Sequence, residues 1–402
     1  MKQPRPLSRH DRLIDGAAAA QALGVKRASL YAYVSRGQIR TAPHPDDPRA
    51  RLYAAADIEA LQNRKLRLRR PRAAAASALD WGLPVLQTHI SSIADEALFY
   101  RGEPVTRLVR TAGLEEIAAL LMGAKSRRFA ALSLDTTAIA GWRDTAAALP
   151  ATMPALERAL ALLPLLMARQ TSPLGLARER LLDQAAECLA ALTAAIAGLT
   201  KLRAPLHLAL AQAWRKPQAA DAIRRMLVLS ADHELNPSTF ALRVTASTGT
   251  RLAGCLLSGL AALSGPRHGG VAARLQALVE DLTGETAASL RAAVAARLSR
   301  GEALPGFGHP LYPGGDPRAA LMLPLLPLDK PMARLLATAR ETGGLEPNID
   351  FVLLATERCY ALPRGTALSI FAIGRCAGWL AHALEQIEMG TLIRPRAEFV
   401  GR

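Results

Sequence analysis

The stretch Ala231-Asp232-His233-Glu234-Leu235-Asn236-Pro237-Ser238-Thr239-Phe240, followed by Gly265-Pro266-Arg267-His268-Gly269-Gly270, sets two histidines in polar turns of a chain otherwise rich in alanine and leucine. Two more such islands follow. One is Pro305-Gly306-Phe307-Gly308-His309 with Asp316-Pro317-Arg318 behind it. The other is Pro347-Asn348-Ile349-Asp350-Phe351, with Gly374-Arg375 and Arg394-Pro395-Arg396 beyond. His233 comes straight after an apolar helical segment, where Glu234 is placed to orient its ring. Pro237-Ser238-Thr239 opens the next helix, with Ser238 as the expected cap. Histidine is the side chain most easily poised near neutral pH. In glycine-marked turns no packing demand calls for an imidazole, and such loops at helix ends are where binding groups concentrate. Histidines, one aspartate and three arginines so distributed point to acid–base carbon chemistry on a polycarboxylate.

The rest of the chain supports a mainly helical fold. Of its 402 residues 50% are hydrophobic but only 4% aromatic, so alanine and leucine, both strong helix formers, fill the core. Helices are expected near 104–123, 152–168 (with Pro164 inside), 174–199, 203–212 and 217–230. Another starts near 238 and bends or breaks at Ser247-Thr248-Gly249-Thr250, and the next runs to Leu263. Further helices cover 271–281, 285–299, 319–324, 329–341, 348–360 and 365–388. Phe99-Tyr100-Arg101-Gly102 reads as a short hairpin or turn. The four cysteines (Cys188, Cys255, Cys359, Cys376) form no ligand-spaced pair and are expected as buried, reduced thiols, which fits a cytoplasmic protein. The charged N-terminus has no secretory pattern, and the apolar run 159–168 is too short to span a bilayer. Metal-ligand spacing, a Walker phosphate loop and a dinucleotide fingerprint are all lacking, which argues against zinc, nucleotide-hydrolysing and nicotinamide chemistry.

Charge is concentrated at the head. Residues 1–72 hold sixteen Lys and Arg against six Asp and Glu, a net of +10 out of +16. Asp15 is a cap for a helix through Ala17 to Leu23 that Gly24 ends. A second helix starts near Lys26, with Leu30, Tyr31 and Val34 as its apolar stripe and Gly37 closing it. Arg49 to Tyr53 returns as a strand and Ala56 begins another helix. The segment resembles the winged helix-turn-helix domain of mercury-resistance-type regulators and phage excisionases. That resemblance implies that Lys26, Arg27, Ser29, Tyr31 and Arg36 face nucleic acid, with Arg49 and Arg51 on the wing. The alternative is a domain of this shape serving as a protein-contact cap. The expected division is 1–70 for the head, a linker over 71–79 and a body over 80–402.

Over about the last 170 residues the islands, with Ser247-Thr248-Gly249 and Gly374-Arg375-Cys376-Ala377-Gly378-Trp379-Leu380-Ala381-His382, resemble the citrate synthase family in order and spacing, its 2-methylcitrate synthases included. The resemblance implies an almost wholly helical homodimer with a large domain and a small closing domain, here near 271–366. It implies Asp350 as the base that takes a methyl proton from an acetyl thioester. His268 is then the donor to the thioester oxygen, and His309 the acid toward the keto oxygen of oxaloacetate. His233, Arg318 and Arg375 are implied as oxoacid ligands, with Arg394 reaching across from the partner subunit. Coenzyme A is implied along Leu304, Pro305, Gly306, Phe307 and Gly308, as a co-substrate, with no tightly bound cofactor. Propionyl thioester is an alternative substrate, and a metabolite-sensing DNA-binding regulator is an alternative function. The chain departs from the family after His309, where Arg-x-Tyr-Lys is replaced by Pro310-Leu311-Tyr312-Pro313. A His-Pro-Met motif expected in the first half has no good counterpart.

Overall fold

The computed structural model describes residues 13–25, 27–35, 38–44, 47, 50–55, 57–58, 61, 85–282, 286–397 and 399. The chain divides into two compact units, Met1–Gln87 and Thr88–Arg402. The linker expected at 71–79 lies outside the described residues.

In the first unit Asp15 caps the helix Gly16–Leu23, accepting from the N–H groups of Ala17 and Ala18 at 2.8 Å, and Gly24 ends it in the left-handed conformation at φ 58°. A second helix, Arg27–Ser35, follows. The strand Arg51–Ala54 lies between Leu13–Ile14 and Thr41–Pro43 in an antiparallel sheet. Ala19, Leu23, Leu30, Ile39, Tyr53 and Ile58 form a small core. The expected stripe of Leu30, Tyr31 and Val34 is corrected: Leu30 is buried but Tyr31 is 61% exposed. Consecutive helix residues are about 100° apart, so Leu30 and Val34 can share a face that Tyr31 does not. Ser29 and Arg51 are also exposed, and Arg51 donates to Thr41 Oγ1 at 3.1 Å. Lys26, Arg36, Arg49 and the side chain of Arg27 lie outside the described residues.

The second unit is built on the helix Thr366–Met389. Packed against it are Leu114–Met122, Arg178–Ala197, Ala220–Ser230, Pro237–Ser247, Leu252–Leu263 and Ile349–Cys359. This helix is long and apolar enough to cross a membrane, but its apolar window is 89% buried within the protein, as in a core helix. Its small residues let it approach neighbouring backbone closely. A Cβ on Gly374 would lie 2.6 Å from the carbonyl oxygen of Leu227, and one on Gly378 would lie 2.3 Å from that of Ala231. The link carrying His233 is thereby seated directly on the central helix.

Several expected elements differ. The helix expected over 104–123 is two, Val105–Thr111 and Leu114–Met122, broken at Ala112-Gly113 where the Glu116 carboxylate accepts the Gly113 N–H at 2.8 Å. The break expected near 247–250 is present: the helix ends at Ser247, Gly249 takes φ +77°, and Leu252 starts the next. Around Tyr100 the chain forms a three-stranded meander of Ser91–Ala94, Ala97–Tyr100 and Glu103–Pro104. The pairing of Ser133–Asp135 with Lys201–Arg203 was not expected. Cys188, Cys255 and Cys376 are buried, whereas Cys359 is half-buried and its thiol donates to the Pro327 carbonyl.

Candidate active site

His233 projects from the link between Ala220–Ser230 and Pro237–Ser247, beside Glu234 in the left-handed region at φ 51°. Such strain in a non-glycine residue persists only where the surroundings hold it. Here Ser91 Oγ accepts the Glu234 N–H at 3.1 Å, and the Glu234 carboxylate accepts the Ile93 N–H at 3.2 Å. Glu234 therefore anchors the link to the meander. The partner on the His233 ring is Tyr312, whose hydroxyl is 2.9 Å from Nε2.

His268 follows the helix Leu252–Leu263 in a turn whose glycines serve close backbone approach. A Cβ on Gly269 would fall 2.3 Å from the Leu263 carbonyl oxygen, and one on Gly270 2.8 Å from Pro266 Cα. The expected cap role of Ser238 is also corrected. Asn236 caps the helix, its Oδ1 accepting the Thr239 N–H at 3.1 Å, while Ser238 Oγ faces His268 Nε2 at 2.8 Å. Trp379 Nε1 donates to the same hydroxyl at 3.3 Å, and its own proton has two acceptors in reach, His268 and Asn236 Oδ1 at 2.7 Å. For His268 Nδ1 to carry a proton in the neutral ring, Ser238 must donate to Nε2.

The loop Leu304–Gly308 and the start of Ile349–Cys359 are stitched together. Gly308 N–H donates to the Glu346 carbonyl at 2.8 Å, Asn348 N–H to that of Gly306 at 2.9 Å, and the Asn348 side chain to that of Gly308 at 2.9 Å. Asn348 also caps the helix whose first turn holds Asp350. Asp316 adds a second stitch, accepting the Ile349 N–H at 3.0 Å while gripping Arg318 through Nε at 2.9 Å and a terminal nitrogen at 2.8 Å. Leu311 N–H donates to His309 Nδ1 at 3.1 Å, which leaves the proton of the neutral ring on Nε2.

These elements converge. The His233 and His309 ring centroids are 5.0 Å apart, His309 and Tyr312 are 4.9 Å apart, and the Arg318 guanidinium lies 5.8 Å over the Tyr312 ring. Burial, reinforced by Arg375, lowers His268 to about 4, and burial with Arg318 does the same to His309. His233 is held well below the ordinary range by burial and by Arg318 and Arg375. All three rings are therefore neutral near pH 7. Burial raises Asp350 to about 6, against the pull of Arg318. Arg375 is 1% exposed; its Nε donates to the Ser230 carbonyl at 2.8 Å and its guanidinium lies 4.7 Å over Phe371. Burial lowers it to about 10, and among the described residues no carboxylate pairs with it. These residues thus bring a buried cation that no described carboxylate pairs with, a second cation, neutral histidines and a carboxyl of raised pKa to one region of the fold.

The family model for the citrate synthase C-terminal domain matches residues 78–396. The chain belongs to the citrate synthase family. It is 36% identical over 192 residues to a citrate synthase of Haloferax volcanii, covering 45% of this chain and 50% of that protein. It is 35% identical over 185 residues to a 2-methylcitrate synthase of Shewanella oneidensis, covering 44% and 49%. The chain thus spans about half the length of these curated relatives. A solved citrate synthase from Thermoplasma acidophilum, in ternary complex with carboxymethyl coenzyme A and oxaloacetate, superposes with a TM-score of 0.68 at 24% identity over 80% of this chain and 94% of that one, which shows the citrate synthase fold.

Among the site residues that the citrate synthase resemblance implied, the structure brings His233 and His309 into one cluster with Arg318 over the Tyr312 ring. Arg318 and Arg375 both act electrostatically on Asp350, and Arg375 acts on His268. Leu304 and Phe307 are buried, and Gly306 and Gly308 take φ of +83° and +69°, so this loop is fixed by its own backbone. Arg394 does not join the cluster within one chain. It is exposed in the segment after the central helix, next to Ile393, whose N–H donates to Ser247 Oγ at 3.1 Å. Sequence reasoning missed Tyr312 and the pairing of Ser238 with His268. Tyr312 keeps the tyrosine of the family's Arg-x-Tyr-Lys, and that retained residue was the available signal.

Proposed function

We propose that this chain condenses an acyl-coenzyme A with oxaloacetate, giving citrate and coenzyme A from the acetyl thioester. The observation that carries the reading is Arg375, a buried guanidinium that no carboxylate pairs with among the described residues, and whose charge acts on Arg318, His233 and His268. A protein retains such a charge at a cost unless a ligand supplies the counterion, and a dicarboxylate oxoacid does so. Arg318 spends one edge on Asp316, which leaves its remaining nitrogen for the substrate.

A thioester α-proton is very weakly acidic in water. Asp350, ionised above about pH 6, takes it while His268 donates to the thioester oxygen where negative charge develops. The enol carbon attacks the keto carbon, and His309 gives its Nε2 proton to the keto oxygen. Hydrolysis of the citryl thioester completes the cycle. His233, with its tyrosine-bonded ring, and the arginines hold the oxoacid. Leu304 to Gly308 form the wall along which coenzyme A lies, and residues near 271–366 form the closing domain. Arg394 of a second copy completes the carboxylate site in a homodimer. The test is release of free thiol from acetyl-coenzyme A only when oxaloacetate is present. No release with acetyl or propionyl thioesters across oxoacids would refute the reading. The ratio of rates on the two thioesters decides between citrate and 2-methylcitrate formation, a one-methylene difference that a pocket discriminates by about 1–3 kcal/mol.

A second reading concerns the first unit. Its two short helices, three-stranded sheet, exposed Ser29, Tyr31 and Arg51, and the local net charge of +10 support a winged helix-turn-helix that contacts nucleic acid and reports the metabolite state of the body. A dimer presenting two such heads selects a two-fold symmetric site. Selection from genomic fragments, with and without oxaloacetate and coenzyme A, tests this; recovery of no preferred fragment removes it and leaves the enzyme reading untouched.

A further inference from the structure

Behind the pocket runs a buried polar chain that the condensation does not use. Asp232, fully buried and next to His233, receives the Ser91 hydroxyl on Oδ2 and faces His382 Nε2 at 3.3 Å. The other ring nitrogen of His382 faces a terminal nitrogen of Arg243 at 3.4 Å. Arg243, itself fully buried, donates to Glu385 at 2.8 Å and to Gln386 Oε1 at 3.1 and 2.9 Å. Glu385 closes the outer end by accepting the His89 N–H at 2.7 Å.

Proton accounting gives this chain a direction. A guanidinium can only donate and a carboxylate only accept, so the His382 nitrogen that faces Asp232, Nε2, carries a proton aimed at it, whereas Nδ1 lies between Arg243 and, at 4.0 Å, Glu385. The Asp232 carboxylate is thus met by two donors and stays ionised. It is the carboxylate that most strongly supports the charge of Arg375, and it does so without pairing with it. The same carboxylate, through Ser91, fixes the strained Glu234 and with it the link that carries His233.

We propose that His382 is a positioning residue of the oxoacid pocket: by donating to Asp232 it holds in place the carboxylate whose field reaches the unpaired Arg375, and with it the placement of His233. The inference rests on reading the cleft as an oxoacid site. Glutamine reaches about as far as histidine and its amide donates like Nε2, whereas leucine fills similar space and donates nothing. His382→Leu should weaken oxaloacetate about tenfold or more in Kd and KM, the order expected when a buried carboxylate loses a donor. It should leave the acetyl-coenzyme A KM within about twofold, and His382→Gln should recover most of the loss. Ser91→Ala, a small truncation that leaves the core unfilled by nothing larger than a hydroxyl, should show the same split and stands in if His382→Leu does not fold. Oxaloacetate affinity unchanged in these variants, or losses equal for both substrates, would overturn the proposal. Titration calorimetry with oxaloacetate separates the two readings. If the wild-type protein binds oxaloacetate but condenses nothing, the enzyme reading fails while the variants' Kd values still judge His382; if it binds none, both fall.

Discussion

Asp350 sets function against stability. Its folded pKa of about 6 lies above the ordinary 3.8, so between these values the folded state holds more protons than the unfolded one, and stability falls as pH rises through that window. At pH 8 the ionised carboxylate costs about 3 kcal/mol. Asp350→Asn should therefore abolish condensation yet raise the stability measured by denaturant unfolding at pH 8, with the gain vanishing near pH 4. The same group sets the acid limb of activity. The kcat/KM for acetyl-coenzyme A should rise about tenfold per pH unit below 6 and then level off, because His268 and His309 titrate near 4 and stay neutral above it. A limb near pH 7 instead would assign the base to a histidine. At this scale the candidate residues were legible by two routes: His268 and His309 stood out because glycine turns gave no packing reason for an imidazole, and Asp350 was implied by the family resemblance. Ser238 was misread because a serine after Asn-Pro suits a cap as well as it suits an imidazole, and only the fold brings His268 within 2.8 Å of it.

Among the elements, the central helix decides the geometry of the site. Gly378 lies where a Cβ would meet the Ala231 carbonyl oxygen at 2.3 Å and Asp232 Oδ1 at 2.4 Å. The first is backbone and the second belongs to a carboxylate held by Ser91 and His382, so Gly378→Ala must push the His233 link outward. The expected cost is about 1–3 kcal/mol of stability, with oxaloacetate affinity falling more than acyl-thioester affinity. Stability and affinity both unchanged would mean that the link is not seated as described. The helix itself was legible from its apolar period, expected over 365–388 and found at Thr366–Met389. The break at Ala112-Gly113 and the pairing of Ser133–Asp135 with Lys201–Arg203 were not. The first depends on a single glycine whose N–H is capped from Glu116, the second on strands more than sixty residues apart whose three-residue lengths leave no periodic trace.

For the whole molecule, the exposed Arg394 is the residue whose placement a single chain does not explain. If a partner subunit's cleft takes it up, Asp350→Asn and Arg394→Ala proteins should each be inactive or weak alone. Mixed and allowed to exchange subunits, they should regain activity, because a mixed dimer rebuilds one site with both native residues. No recovery despite proven exchange would place Arg394 outside the site.

The central claim is carbon–carbon bond formation, and following the methyl carbon tests it most directly. Acetyl-coenzyme A labelled with carbon-13 at the methyl group, incubated with oxaloacetate and the protein, should yield citrate labelled in one methylene in equal amount to the thiol released, and Asp350→Asn should yield none. Label recovered as acetate, or remaining in the thioester, would contradict the account.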